Sequence, residues 1–373
     1  MDGSGARPAF KRLYDVRSLP GGLLRIGESS PNRAVEIEDE AGWVERLIRL
    51  MDGTRTIGGL RDALSESHPE VTTEDVAELV AELDGLGYVD DRRAEEAASL
   101  PPDEAERFKA NLNYFSYYSN LASDPWHMQK RLRDAKITVI GAGALGCGVL
   151  LNLAGLGVTA VRIVDFDVVE RSNLNRQWLY GEPDIGRRKI ETACEFLNRF
   201  RSGMKLDPLD REIASADEAG EAILGSDFVV LAADQPYWLL ERWVNEACVR
   251  ENIPFIAGGM NINEGQLYTV VPGRTGCVAC IDVRYGREHA GHASFVEQCR
   301  ASDFRMPSTS IAPGYMILAG MAGGEIARWF TGSAGLFSLG RVMVMNMDTC
   351  RAEPRIDFAA PQPDCPVCEI NGS

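Results

Sequence analysis

The feature that most constrains this chain is a glycine pattern, Gly141-x-Gly143-x-x-Gly146, placed directly after the apolar run ITVI and at the start of a helix-like stretch near Ala144. In that setting glycines let backbone amides approach a phosphate at the positively polarised end of a helix. Without it the same pattern would be a tight turn, so the flanking residues matter. From Lys136 onward, strand-like runs (ITVIG, VRIVDFD, DFVVLAAD, PFIAGG) alternate with helical stretches. This is the pattern of a largely parallel sheet covered by helices. The later runs GQLYTVV and LFSLGRVMVMNMD read as further strands, antiparallel to the rest. The expected fold class is α/β, Rossmann-like, with a mixed, largely parallel sheet.

A length of 373 residues suits two domains. Residues 8–40 contain three short strand-like runs, and residues 41–91 change to apolar spacings of three and four, which predicts three helices. The second and third open at Thr56 and Thr72, both fitting N-caps. The charged, alanine-rich stretch that follows, broken by Pro101 and Pro102, reads as a linker. The expected division is a small α+β, winged-helix-like domain over 1–95 and a larger domain over 96–373.

Composition excludes some classes. A net charge of −16 argues against a surface built to neutralise nucleic-acid phosphates. No apolar run approaches the ~20 residues of a membrane-spanning helix, so neither nucleic acid nor membrane is an expected partner. The opening MDGSGARPAF lacks a secretory pattern, which makes the cytoplasm the expected compartment. The nine cysteines are then read as reduced or metal-bound.

About twenty residues past the glycines the next strand ends in Asp165-Phe166-Asp167, where a carboxylate can meet a ribose hydroxyl. NAD and ATP fit that much equally. The stretch ERSNLNRQWLYGEPDIGRRK decides for ATP, because a compact cluster of Asn173, Arg176 and Lys189 suits a triphosphate. The plainer alternative puts Arg176 and Lys189 on solvated helix faces. Asp234 follows DFVVLAA at the carboxyl edge of the sheet, where it can hold Mg²⁺ between phosphate oxygens or cap a helix ahead of Pro236.

Cys277-x-x-Cys280 and Cys365-x-x-Cys368 each have a spacing that brings two thiolates to one tetrahedral ion. Together they predict a structural zinc clamping the C-terminal tail to the core. Cys147, Cys194 and Cys248 fall in helical stretches and read as core, and Cys350 follows the last strand run. Cys299 lies in a polar stretch where a nucleophile would reach an activated acyl group. His289 and His292 of the same stretch read as exposed loop residues.

Taken together, GAGALG, VDFDVVERSNLNRQ, DIGRRK, LAAD and the paired Cys-x-x-Cys resemble the ubiquitin-activating superfamily, over about residues 107 to 370. Within it, ADQPYWLLERWVNEACVRENIPFIAGG and VPGRTGCVAC are similar to peptide-maturing adenylyltransferases of the microcin C type, which carry a small N-terminal leader-recognition domain. The resemblance implies a homodimer using ATP and Mg²⁺, with Zn²⁺ held by the four cysteines. Gly141, Gly143, Gly146, Asp165, Asp167, Asn173 and Gln177 would line the nucleotide site, with Arg176, Lys189 and Asp234 also catalytic. The implied reaction adenylates the C-terminus of a short ribosomal precursor peptide and releases pyrophosphate. Activation of a Gly-Gly-ended ubiquitin-like protein and a non-catalytic leader-binding role are the alternatives. The chain departs from many relatives in two places. Where an arginine pair is usual, the stretch RFKANLNYFSYYS offers only Arg107 and Lys109, and Asp234 is followed by Gln235 rather than Asn. The small domain's sheet edge would take an extended peptide as an added strand, or would serve dimer packing.

Overall fold

The computed structural model describes residues 5–27, 34–91, 100–301 and 309–371. They divide into two compact units, one running to Arg131 and taking in Thr331–Ala334, the other comprising Leu132–Phe330 and the residues from Gly335 on. The helices of 102–131 therefore group with the N-terminal unit, past the linker expected near residue 95.

In the first unit β2 (Val16–Leu19), β3 (Leu23–Ile26) and β4 (Val35–Glu38) form an antiparallel sheet in that order. Two further short strands, β1 (Pro8–Phe10) and β5 (Val89–Asp91), pair with each other. Three helices follow the sheet: α1 (Trp43–Leu50), α2 (Ile57–Leu64) and α3 (Thr73–Gly85). Alternation along β3 turns Leu24 and Ile26 inward, where they pack with Leu47, Leu60, Leu64, Val76 and Leu83. Thr56 accepts a hydrogen bond from Gly59 N at 3.3 Å and starts α2, while Thr72 and Asp75 form a reciprocal capping box that starts α3. Helices α4 (Pro102–Arg107), α5 (Lys109–Ser116) and α6 (Pro125–Asp134) come next.

The second unit is built on an eight-stranded sheet, in the order β13-β12-β11-β10-β9-β6-β7-β8. Its parallel part comprises β6 (Lys136–Ile140), β7 (Ala160–Val164), β8 (Lys205–Leu209), β9 (Phe228–Leu231) and the near side of β10 (Phe255–Asn261). Antiparallel strands β11 (Glu264–Val270), β12 (Arg341–Asn346) and β13 (Arg351–Asp357) extend it. The central strand β9 is buried along its whole length, as expected for a parallel strand covered on both faces. Strand β6 has β7 on one side and β9 on the other, so the connections diverge there and leave a crevice beyond its carboxyl end. Among the described residues no helix is long and apolar enough to cross a membrane.

Candidate functional site

The crevice is a cavity of about 1000 Å³, at the upper end of the ~300–1,000 Å³ usual for small-molecule sites. Helix α7 (Ala144–Leu156) starts at its floor, with Gly143 as N-cap. Gly141 has φ +98°, and an added Cβ would come within 2.7 Å of Ala232 O. At Gly146 a Cβ would lie 1.9 Å from Gly141 O, so only glycine lets the helix start this close to the turn. Gly143 has nothing within 4 Å of a Cβ position, which leaves its backbone open to a ligand.

Asp165, at the end of β7, accepts Ala142 N–H at 2.7 Å and Asp167 N–H at 2.8 Å, fixing the glycine turn against the next strand. The Tyr180 hydroxyl, donating to Ala142 O at 2.8 Å, braces the same turn. Lys189 opens α8 (Lys189–Phe200); its buried side chain reaches Asp167 Oδ2 at 2.8 Å. Gln177 is buried on the cavity wall, and its Oε1 has no hydrogen-bond partner among the described residues. Arg176 lines the cavity and donates to Ser172 O and Asn175 Oδ1, both at 2.8 Å, without a carboxylate partner among the described residues. Asn173 is buried behind this wall; its Oδ1 accepts Glu170 N–H at 3.0 Å and shapes the turn that presents Arg176 and Gln177.

Asp234 faces these groups from the loop after β9. Its side chain is open to the crevice, and partial desolvation by the surrounding walls pushes its carboxyl up from the ordinary value. No cation among the described residues pairs with it. An uncompensated carboxylate in a crevice with a phosphate-type helix start suits a magnesium–nucleotide complex. The capping alternative does not describe Asp234, because the helix that follows it, α10 (Leu239–Arg250; α9 is Ala216–Ile223), has Trp238 as its N-cap. The spacing pattern gave no sign of Tyr180, Tyr237, Trp238, Glu241, Tyr268 and Tyr315, which support or line the cavity. Only the folded chain brings them there.

The four cysteines form a separate centre. Their sulfurs lie within 4.8 Å of one another, with Cys277–Cys365 at 3.7 Å, Cys277–Cys280 at 3.9 Å and Cys280–Cys368 at 3.5 Å. A tetrahedron of Zn–S bonds of ~2.3 Å requires sulfur separations of about 3.8 Å. The donor set therefore fits zinc. Cys277 caps α11 (Val278–Glu288), and Gly276 lets the tail approach, since a Cβ there would lie 2.8 Å from Phe358 O and Ala360 O.

Cys147 and Cys248 are buried and Cys194 is half-buried, consistent with core positions. Burial pushes the Cys147 thiol up to about 12, and burial with the nearby Asp207 charge takes Cys194 to about 11. Cys350 is exposed, and Cys299 is half-buried on α12 (His292–Arg300). His289 is exposed, but His292 is not the loop residue expected. It starts α12, and its ring packs 3.4 Å from Asp282 Oδ1.

Comparison with known proteins agrees with this architecture. The ThiF family model matches residues 117–367, more than half of the chain. The SAMP-activating enzyme E1 of Haloferax volcanii is 35% identical over 153 residues, 41% of this chain and 55% of that enzyme. The sulfur carrier protein ThiS adenylyltransferase of Bacillus subtilis is 38% identical over 155 residues, 41% of this chain and 45% of that enzyme. The chain thus spans about half the length of these curated relatives. The crystal structure of E. coli MccB with AMPCPP and MccA superposes with a TM-score of 0.74 at 20% identity, covering 97% of this chain and 99% of that one. PaaA gives 0.70 at 23% identity, covering 93% and 99%. At these identities the likeness is one of fold, and it takes in both units. With the family match running through the glycine turn and the entire cavity wall, the chain belongs to the ThiF family.

Proposed function

We propose that the protein is an ATP-dependent adenylyltransferase that transfers AMP to the C-terminus of a short, ribosomally made precursor peptide and releases pyrophosphate. The observation that carries this reading is the pairing, across one cavity, of an open glycine helix start with the uncompensated carboxylate of Asp234. Gly141, Gly143 and Gly146 shape the phosphate cradle. Asp165 and Asp167 hold the ribose side, Arg176 and Lys189 neutralise phosphate charge, Asn173 keeps the turn behind them in place, and Gln177 lines the nucleotide site beside Arg176. Asp234 holds Mg²⁺, which when bound neutralises charge on the phosphate oxygens. The substrate carboxylate forms a bond to the α-phosphorus as the bond to the β-phosphate's bridging oxygen breaks, and pyrophosphate leaves with the electron pair. The residues position and neutralise, and none needs to become covalently attached.

The peptide class is supported by likeness to MccB along almost the whole chain, including the N-terminal unit, in structures determined with MccA. That unit is proposed to take the leader, through a free edge of its small sheet. Exposed Ile262, Ile311, Met316 and Ile317 support a homodimer. A second reading, activation of a ubiquitin-like sulfur carrier, is favoured by the greater identity to the ThiS and SAMP activating enzymes.

ATP–pyrophosphate exchange separates the two. Exchange dependent on a precursor peptide is expected, and exchange only with a Gly-Gly-ended carrier would establish the second reading. Asp234→Ala should abolish exchange while keeping zinc; normal exchange in that variant would remove the assigned metal role.

A further inference from the structure

The cavity is longer than the nucleotide machinery assigned to it. Arg211 and Ile213 line it beyond β8, and Gln266 and Tyr268 line it from β11. Between β8 and β11 lie five strand-to-strand steps of ~4.8 Å, so the crevice crosses about 24 Å of sheet. The glycines, Asp165, Asp167, Arg176 and Lys189 all belong to the β6–β8 side. The β9–β11 side has a different character: Tyr237, Trp238, Met260, Tyr268 and Tyr315 line it, with Gln235, Glu241, Asn261 and Gln266 among them.

Trp238 is held there with unusual care. Its backbone lies in the left-handed region at φ +68°, which a bulky residue rarely adopts. The Arg242 guanidinium stacks 3.8 Å from its ring centroid and donates to Trp238 O at 3.0 Å. Asp282 fixes that guanidinium through bonds of 2.7 to 2.9 Å, and Phe295 packs edge-on to the indole at 5.4 Å. The indole nitrogen is buried, with no partner among the described residues, so the ring meets the cavity through its carbon atoms. Met260 is seated opposite small residues, with a Cβ on Gly314 or Gly265 coming to 2.7 or 2.9 Å from it. Two glycines thus make room for one more apolar wall group.

We infer that the β9–β11 end of the cavity is a side-chain pocket for the terminal residue of the carboxylate substrate, and that Trp238 makes it selective for aromatic or large aliphatic residues over glycine and small polar ones. The inference rests on the adenylation reading above. Tyr268 backs this end of the cavity: its hydroxyl donates to Glu241 at 2.5 Å, and its ring is buried edge-on against Phe255 and Phe358. A large apolar terminal side chain would fill the space between Trp238 and Met260, whereas a small one would leave it wet.

The test uses non-hydrolysable acyl-adenylate mimics, 5′-O-(N-aminoacyl)sulfamoyl adenosines carrying Phe, Leu, Ser or Gly, with affinities measured by calorimetry on the full chain. The Phe and Leu compounds should bind about tenfold or more tighter than the Gly compound. Trp238→Ala should erase that difference while AMP affinity, which also reports folding, is kept. Trp238→Phe should retain it, since no hydrogen bond is lost. Equal affinities across the series, or an undiminished preference in Trp238→Ala, would overturn the inference alone. If AMP binds and no sulfamoyl compound binds better, the adenylation reading falls, and this inference with it.

Discussion

Gly143 and Gly146, three residues apart, illustrate two different demands on a side-chain-free position. A methyl at Gly146 would sit 1.9 Å from a backbone oxygen, so Gly146→Ala is expected to cost about 3 kcal/mol or more. Chemical denaturation should show this as a lower midpoint. Gly143→Ala meets nothing and should unfold close to wild type, yet weaken ATP binding by placing a methyl where phosphate approaches. The thiols give a pH prediction. Alkylation needs the thiolate, and with values raised to about 12 and about 11, Cys147 and Cys194 are protonated at pH 8. In the zinc-loaded protein, labelling at pH 8 should therefore mark exposed Cys350 first. Cys194 should join only as the pH approaches 11, and Cys147 later still. Mass spectrometry of the labelled peptides reads the order.

At the scale of elements, capping and metal clamping decide where segments start and stop. Thr72→Ala removes one half of the capping box of α3 and should lower stability by about 1 kcal/mol, read from thermal or denaturant unfolding. The tail that carries Cys365 and Cys368 is also tied to α11 by Arg287, which donates to Pro363 O at 2.9 Å and pairs with Asp364 at 3.1 Å. Gln362 N–H donates to Cys280 Sγ at 3.3 Å, and the cysteines themselves lie against the core of the second unit. Chelation or Cys365→Ser should release zinc, lower the melting temperature and open the tail to protease, since metal binding is coupled to folding. The capping threonines and the cysteine spacings were legible because both are local patterns. The edge strands were not. β8 and β13 each contain a proline, Pro208 and Pro354, and are largely polar, so no apolar alternation marks them. A sheet edge accepts such residues, because one side of the strand has no ladder to satisfy. β1 and β5 are three residues each, too short to show a period.

At the scale of the whole molecule, the exposed apolar residues Ile262, Ile311, Met316 and Ile317 lead to an expected mass of two chains by light scattering, with Ile311→Lys shifting it toward one. The sequence by itself determined the parallel core, the nucleotide-type turn and the cysteine centre. Each is written in short-range spacing, because one strand, one helix start and two thiolates on a common turn are local objects. It also named the residues that the cavity gathers from β6, β7 and the loop after β9, since all follow strand ends in an alternating α/β pattern. Only the tertiary structure decided the rest. Sheet order sets β11 four strands from β7, and that order extends the crevice past the nucleotide groups. It also brings Trp238, Met260, Tyr268 and Tyr315 to one wall from four different segments. No spacing in the chain encodes that meeting, because residues so far apart in sequence become neighbours only once the strands have paired.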